Sequence, residues 1–163
     1  MRILYDSREE QYKSPFGTLT VEQNCTLHVR IPKEIETKFV QLVLEKADAD
    51  AALEFPFSWA DSEGDYDVFR CEFSIDARGL YFYWFRITAR SGTFRLFRQG
   101  RDTNMEAGER WQLSVIPADF TVPKAFQGRV MYQIFPDRFA REGETELRDK
   151  LRPFVLREDW GGT

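Results

Sequence analysis

Few residues in this chain have the type and spacing that bond-breaking chemistry needs. His28 is the single histidine among 163 residues. It alternates with Thr26 and Arg30 on one side of a period-two pattern, so it reads as an outward surface residue rather than a base or a ligand. Cys25 and Cys71 have no close histidine or cysteine neighbour in sequence, which leaves no zinc spacing. They read as free thiols of a reducing compartment, with a Cys25–Cys71 disulfide as the alternative. No glycine-rich phosphate loop occurs. Asp137 adjoins Arg138, and a charge-paired structural role suits it better than catalysis. The residues alone therefore nominate no catalytic group, metal site or cofactor.

What the chain has in quantity is aromatic surface: 15% of residues, with 15 phenylalanines. These side chains favour strands and binding surfaces alike. The net charge of -4 is spread over many charges of both signs. Arg86, Arg90, Arg95, Arg98 and Arg101 lie among strand residues with acidic neighbours. A nucleic-acid binder needs a coherent basic stripe, so no nucleic-acid partner is expected. No cationic start leads into an apolar signal core, and no apolar run is long enough to span a bilayer. A cytoplasmic protein with no membrane partner is the expectation.

The elements that must position these side chains are strands. Residues 26–31 (TLHVRI) put Leu27, Val29 and Ile31 on one face. Residues 38–45 (KFVQLVLE) group Val40, Leu42 and Leu44, and residues 67–75 (DVFRCEFSI) group Phe69, Cys71, Phe73 and Ile75. Such alternation describes antiparallel strands with one face in a core. Residues 79–89 (GLYFYWFRITA) differ, because Leu80, Phe82 and Trp84 point one way while Tyr81, Tyr83, Phe85 and Ile87 point the other. That strand is either central and covered twice, or one face meets a ligand or another domain. Ser91-Gly92 then turns the chain into residues 93–98, a hairpin. Residues 111–116 (WQLSVI) close the set. Turn residues at 15–17, 32–33, 61–64, 76–79 and 100–104 punctuate the strands, the pattern of a β-sandwich. The prediction is an all-β, immunoglobulin-like β-sandwich over residues 1–120. Residues 117–128 (PADFTVPKAFQG) read as a connector stiffened by two prolines. A second piece follows, with an apolar strand at 130–135 and a short helix at 144–152.

The stretch GRVMYQIFPDRFA, residues 128–140, resembles the first barrel strand of glycoside hydrolase family 13, the alpha-amylase family. The similarity runs through Tyr132, Gln133, Ile134, Phe135, Pro136, Asp137, Arg138 and Phe139. Residues 160–163 (WGGT) resemble the segment that leads to the first barrel helix. At the other end, YDSREEQYKSPFGTL is similar to the opening of the N-terminal domain of the neopullulanase, cyclomaltodextrinase and maltogenic amylase group. That domain is a family 34 carbohydrate-binding module, and WQLSVIPADFTVPKAFQG resembles the usual linker after it. The resemblance implies residues 1–120 as such a module, and residues 121–163 as a linker with the first strand of a (β/α)8 barrel cut from a longer protein.

The implied parent is a hydrolase of α-1,4 or α-1,6 glucosidic bonds. Its partners would be maltooligosaccharides, cyclodextrin or starch-like glucan, together with the missing catalytic barrel and a second copy in a homodimer. Retaining hydrolysis needs two carboxyl groups about 5–5.5 Å apart. The family takes them from later barrel strands, and no position here matches those motifs, so this chain alone is expected to be inactive. Some family members bind calcium near this strand. Here the loop reads Ala140-Arg141-Glu142-Gly143-Glu144, and Thr163 stands where the last Asp would be, so no metal is expected. Sugar rings have apolar faces that stack on aromatics. Trp59, Tyr81, Tyr83 and Trp84 are the candidates for carbohydrate binding, with Phe57 and Trp59 presented from an acidic loop at residues 55–67. The alternative for each ring is a place in the core or at a domain interface. For the sandwich as a whole, the alternative is a purely structural, assembly role without sugar binding.

Overall fold

The computed structural model describes residues 2–133 of the chain. It divides into two compact units, Met1–Thr121 and Val122–Thr163. The first unit is built from eleven strands and a single 3-10 turn at Lys33–Ile35. Four strands form one sheet in the order β1 (Lys13–Ser14), β3 (Cys25–Pro32), β7 (Tyr66–Phe73), β6 (Ser58–Glu63). The other seven form a second sheet around β8 (Gly79–Ala89). On one edge of β8 lies β4 (Thr37–Lys46), followed by β5 (Ala52–Pro56). The other edge is shared: β9 (Gly92–Gln99) takes Phe85–Ala89, and β11 (Trp111–Ile116) takes Gly79–Tyr83. The remaining strands are β2 (Leu19–Thr20), which pairs parallel with β11, and β10 (Asp102–Asn104), antiparallel to β9.

The sheets meet through the faces that alternation singled out. Leu27, Val29 and Ile31 from one sheet share a core with Val40, Leu42, Leu44, Phe85 and Ile87 from the other, all 1% exposed or less. Burying each such side chain contributes about 1.5–3 kcal/mol before the cost of ordering the chain. Val43 is also buried, on the opposite face of β4. The all-β sandwich expected from the sequence is the fold observed.

The structure changes the reading of residues 55–67. Instead of a loop, this stretch supplies two strands. The chain runs along the edge of one sheet as β5, crosses at Phe57, and continues on the edge of the other as β6. Phe57 is 6% exposed, and its N–H donates to the carbonyl of Val40 at 2.9 Å. Every residue of β6 is exposed, so it has no buried face to impose alternation, and its SWADSE sequence carries no strand signal. Residues 67–75 also differ slightly: β7 ends at Phe73, although Ile75 remains buried.

In the second unit, described as far as residue 133, Val130, Met131 and Tyr132 are 91%, 80% and 79% exposed. Residues 130–133 carry no strand. An apolar strand needs a neighbour to satisfy its N–H and C=O groups. Phe135, Pro136, Asp137, Arg138 and Phe139 of the family phrase, and the helix expected at 144–152, lie outside the described residues.

Candidate functional site

The four aromatic candidates fall in three different environments. Tyr81 and Tyr83 are 2% and 1% exposed, so the core interpretation replaces the sugar-platform one for both. The Tyr81 hydroxyl donates to the Ala77 carbonyl at 2.7 Å, and the Tyr83 hydroxyl shares a 2.6 Å hydrogen bond with Tyr5. Tyr83 stacks on Trp111 with centroids 5.7 Å apart, and Tyr5 meets Trp111 edge-on at 5.0 Å. With these faces covered, neither tyrosine has a surface for a ring ligand. Burial pushes both the Tyr5 and Tyr83 hydroxyls above their ordinary acidity range. A strand aromatic on both faces cannot reveal from sequence which face turns inward.

Trp84 belongs to the outer face of β8 and is still only 5% exposed. Its cover is arginine. The Arg95 guanidinium stands 4.8 Å from the ring and that of Arg86 5.5 Å, with Phe97 alongside at 6.1 Å. These contacts place cations over a π face. The indole N–H donates to Glu45 at 3.1 Å. Arg110 also donates to Glu45 and lies over Phe82 at 5.0 Å. Burial disfavours the Glu45 carboxylate, yet the hydrogen bonds from Trp84 and Arg110 and the fields of Arg110 and Arg95 hold its pKa below the usual value.

Trp59 is the one candidate open to solvent, at 60% exposure on edge strand β6. It stands opposite Phe69, beside a register shift at Ala60. Of its neighbours on the strand, Ser62 is engaged with Asp67 and with the Asp61 carboxylate. An exposed indole offers an apolar face on which a sugar ring can stack.

A second feature comes from strand pairing. Because β9 and β11 share one edge of β8, a change of partner occurs at Trp84. Beyond Leu96, β9 leaves β8, pairs with β10 and bridges to Glu109. A cleft of about 630 Å³ is lined by Phe82, the end of β9 and the residues that lead into β11. Two glycines permit it. Gly100 holds φ +64° in the two-residue turn between β9 and β10. At Gly108 a Cβ would fall 2.6 Å from the Arg98 carbonyl oxygen. The lining of the cleft includes Phe82, with Arg110 over the ring, Phe97, and Arg8, Arg98 and Arg101. Arg8 is held by Asp6 through two bonds of 2.9 and 2.8 Å, and the first cause of the lowered Asp6 pKa is the Arg8 hydrogen bond. Only a scattered set of arginines was visible in sequence; strand divergence brought them together.

His28 is half-buried on β3, with its pKa lowered by burial and then by Arg70 and Arg30. Cys25 and Cys71 are free and buried, and burial raises their thiols to about 11 and about 12. The thiolate is the reactive form, so both are inert at neutral pH.

Comparisons with known proteins agree in kind. No family model matches the chain. The amylopullulanase of Thermoanaerobacterium thermosulfurigenes is 23% identical over 147 residues, covering 84% of this chain and 8% of its own length. That of Thermoanaerobacterium saccharolyticum is 23% identical over 173 residues, covering 97% of this chain and 13% of its own length. The chain therefore spans a small part of the curated relatives it matches. Among solved structures, a cyclomaltodextrinase superposes with a TM-score of 0.53 at 18% identity, over 87% of this chain and 25% of that one. The chain is thus similar in sequence to a short part of these amylopullulanases, and it shares its all-β fold with part of a cyclomaltodextrinase.

Proposed function

We propose that the chain is the N-terminal domain of a cytoplasmic hydrolase acting on α-1,4 or α-1,6 glucosidic bonds, and that its sandwich holds α-glucan for that enzyme through Trp59. The observation that carries this reading is the match to amylopullulanases along 84–97% of the chain. Residues 1–120 would be the family 34 type of module, and Tyr132–Phe139 the first strand of the catalytic barrel. The two carboxyl groups that retaining hydrolysis requires would come from that barrel, so the 163 residues by themselves would bind glucan without cleaving it. Two free buried thiols suit a reducing compartment.

A titration with maltoheptaose or β-cyclodextrin tests the binding. Trp84 and Trp111 are buried, so a shift in tryptophan fluorescence that disappears in Trp59→Ala supports the assignment. A flat titration of the intact chain removes it.

A second reading is favoured by the same edge. β5 and β6 each leave one side of their backbone unpaired, and Leu53 at 42% exposure stands on the same stretch as Trp59. A long exposed edge with apolar residues pairs readily with another chain. The domain would then serve assembly, including a homodimer, and not sugar capture. Sedimentation of Trp59→Ala and Leu53→Glu distinguishes the two. Loss of a dimer with no glucan response favours assembly, and an unchanged monomer with a glucan response favours the module.

A further inference from the structure

We propose that the cleft between β9 and β11 is a second ligand site, separate from Trp59, and that it takes a sugar carrying an oxyanion: a phosphate ester or a uronic carboxylate. The first ground is charge. Four arginines and two carboxylates, Asp6 and Glu109, line the cleft, in a chain whose net charge is -4. Positive charge is thus concentrated where the rest of the molecule is acidic, and a cleft focuses such a field on anions.

The second ground is which of those cations is already committed. Arg8 forks onto Asp6, and Arg110 is held by Glu45 over Phe82. Arg101, exposed in the turn after β9, acts on Asp6 through its field and not through a hydrogen bond. Arg98 bonds Glu109 through Nη2, while its Nε is buried and has no partner. A buried donor left unpaired is uncommon and costs desolvation that a bound acceptor would recover. Two guanidinium groups that line one cleft, Arg98 on β9 and Arg101 in the turn after it, are suited to the planar oxygens of a phosphate or carboxylate.

Size and lining argue for more than a bare ion. About 630 Å³ lies within the range of clefts that hold small organic ligands. Phe82 and Phe97 give one side an apolar surface that an inorganic ion would not use. A larger hollow of about 890 Å³ lies elsewhere, but Glu34, Glu36 and Glu106 surround its one arginine, Arg90, which already pairs with Glu36. The sugar half of this assignment rests on the glucan-binding reading; the oxyanion half does not.

The test is calorimetric titration of the full chain with glucose 6-phosphate, glucuronate, glucose and inorganic phosphate. At least one charged sugar should bind about tenfold or more tightly than both glucose and inorganic phosphate. The preferred ligand distinguishes ester from uronate. Arg101→Gln should weaken that binding about tenfold, and Arg98→Lys, which keeps the charge but loses Nε, by a similar factor. Both variants should keep the wild-type Tm and any fluorescence response to maltoheptaose. The proposal is overturned if no ligand binds, if glucose or inorganic phosphate matches the charged sugars, or if neither variant changes the affinity. A flat maltoheptaose titration beside charged-sugar binding would instead remove the glucan reading and leave this site standing.

Discussion

Both faces of β8 carry aromatic rings and are closed in different ways. On the inner face, Tyr83 and Phe85 sit against Tyr5, Phe57 and Trp111, and the opposite sheet completes the cover. On the outer face, Phe82 and Trp84 have no sheet above them. Arginines from β8 itself, from β9 and from the segment before β11 lie over the rings instead. The inner closure is packed rings and aliphatic side chains around one buried hydroxyl pair, Tyr5 and Tyr83. The outer closure depends on charge, with Glu45 fixing Arg110 and Trp84, and with Gln41 and Glu54 fixing Arg86. Aromatic content alone therefore does not define a core; what covers the rings decides whether the site is permanent or open to exchange with a ligand.

Mutations can break this contrast. Phe85→Ala on the inner face should cost about 3–5 kcal/mol in urea denaturation, because a fully buried ring leaves a cavity. A cost below about 1 kcal/mol would mean that the inner face is not the principal core. Tyr83→Phe should cost about 1–3 kcal/mol by stranding the Tyr5 hydroxyl. The double variant Tyr5→Phe/Tyr83→Phe should recover part of that loss, since it removes both partners. On the outer face, Arg95→Ala should cost only about 0.5–1 kcal/mol, with the difference shrinking in high salt. Trp59→Ala, on the exposed edge, should fall within about 0.5 kcal/mol of wild type.

The faces should also separate by pH. Glu45 has a folded pKa below its ordinary value of 4.5. Its contribution is fully present above that value and is lost as pH falls through the lowered folded pKa. The stability advantage of wild type over Glu45→Gln should therefore be constant near neutrality and shrink below about pH 4.5. Tyr5 and Tyr83 have folded pKa values raised above 10.0. Their contribution is present below that value and is lost as pH rises beyond it, because the unfolded chain ionises first. Acid should thus loosen the outer stripe and alkali the inner cluster. Denaturation monitored at both extremes would refute the contrast if Glu45→Gln kept its full deficit in acid, or if Tyr5→Phe/Tyr83→Phe lost stability in alkali as steeply as wild type.

The sequence by itself determined the class of fold. Alternation at 26–31, 38–45 and 111–116 marked strands with one buried face, and these became β3, β4 and β11, because a side-chain period of two leaves a polar and an apolar side. It also held the likeness to family 13, which the amylopullulanase relatives support. Edge strand β6 escaped notice because nothing on it is buried. The short strands β1, β2 and β10 have two or three residues each, too few to show a period. Tertiary structure decided which face of β8 turned inward, leaving Tyr81 and Tyr83 in the core, and it put Trp59 on the exposed edge strand β6. It also decided where β9 leaves β8 and joins Glu109, which gathers Arg8, Arg98, Arg101 and Arg110 around one cleft. Both outcomes depend on partners distant along the chain: local periodicity gives each strand two faces, and only the pairing of strands and the packing of sheets assigns those faces to a core, to solvent or to a ligand.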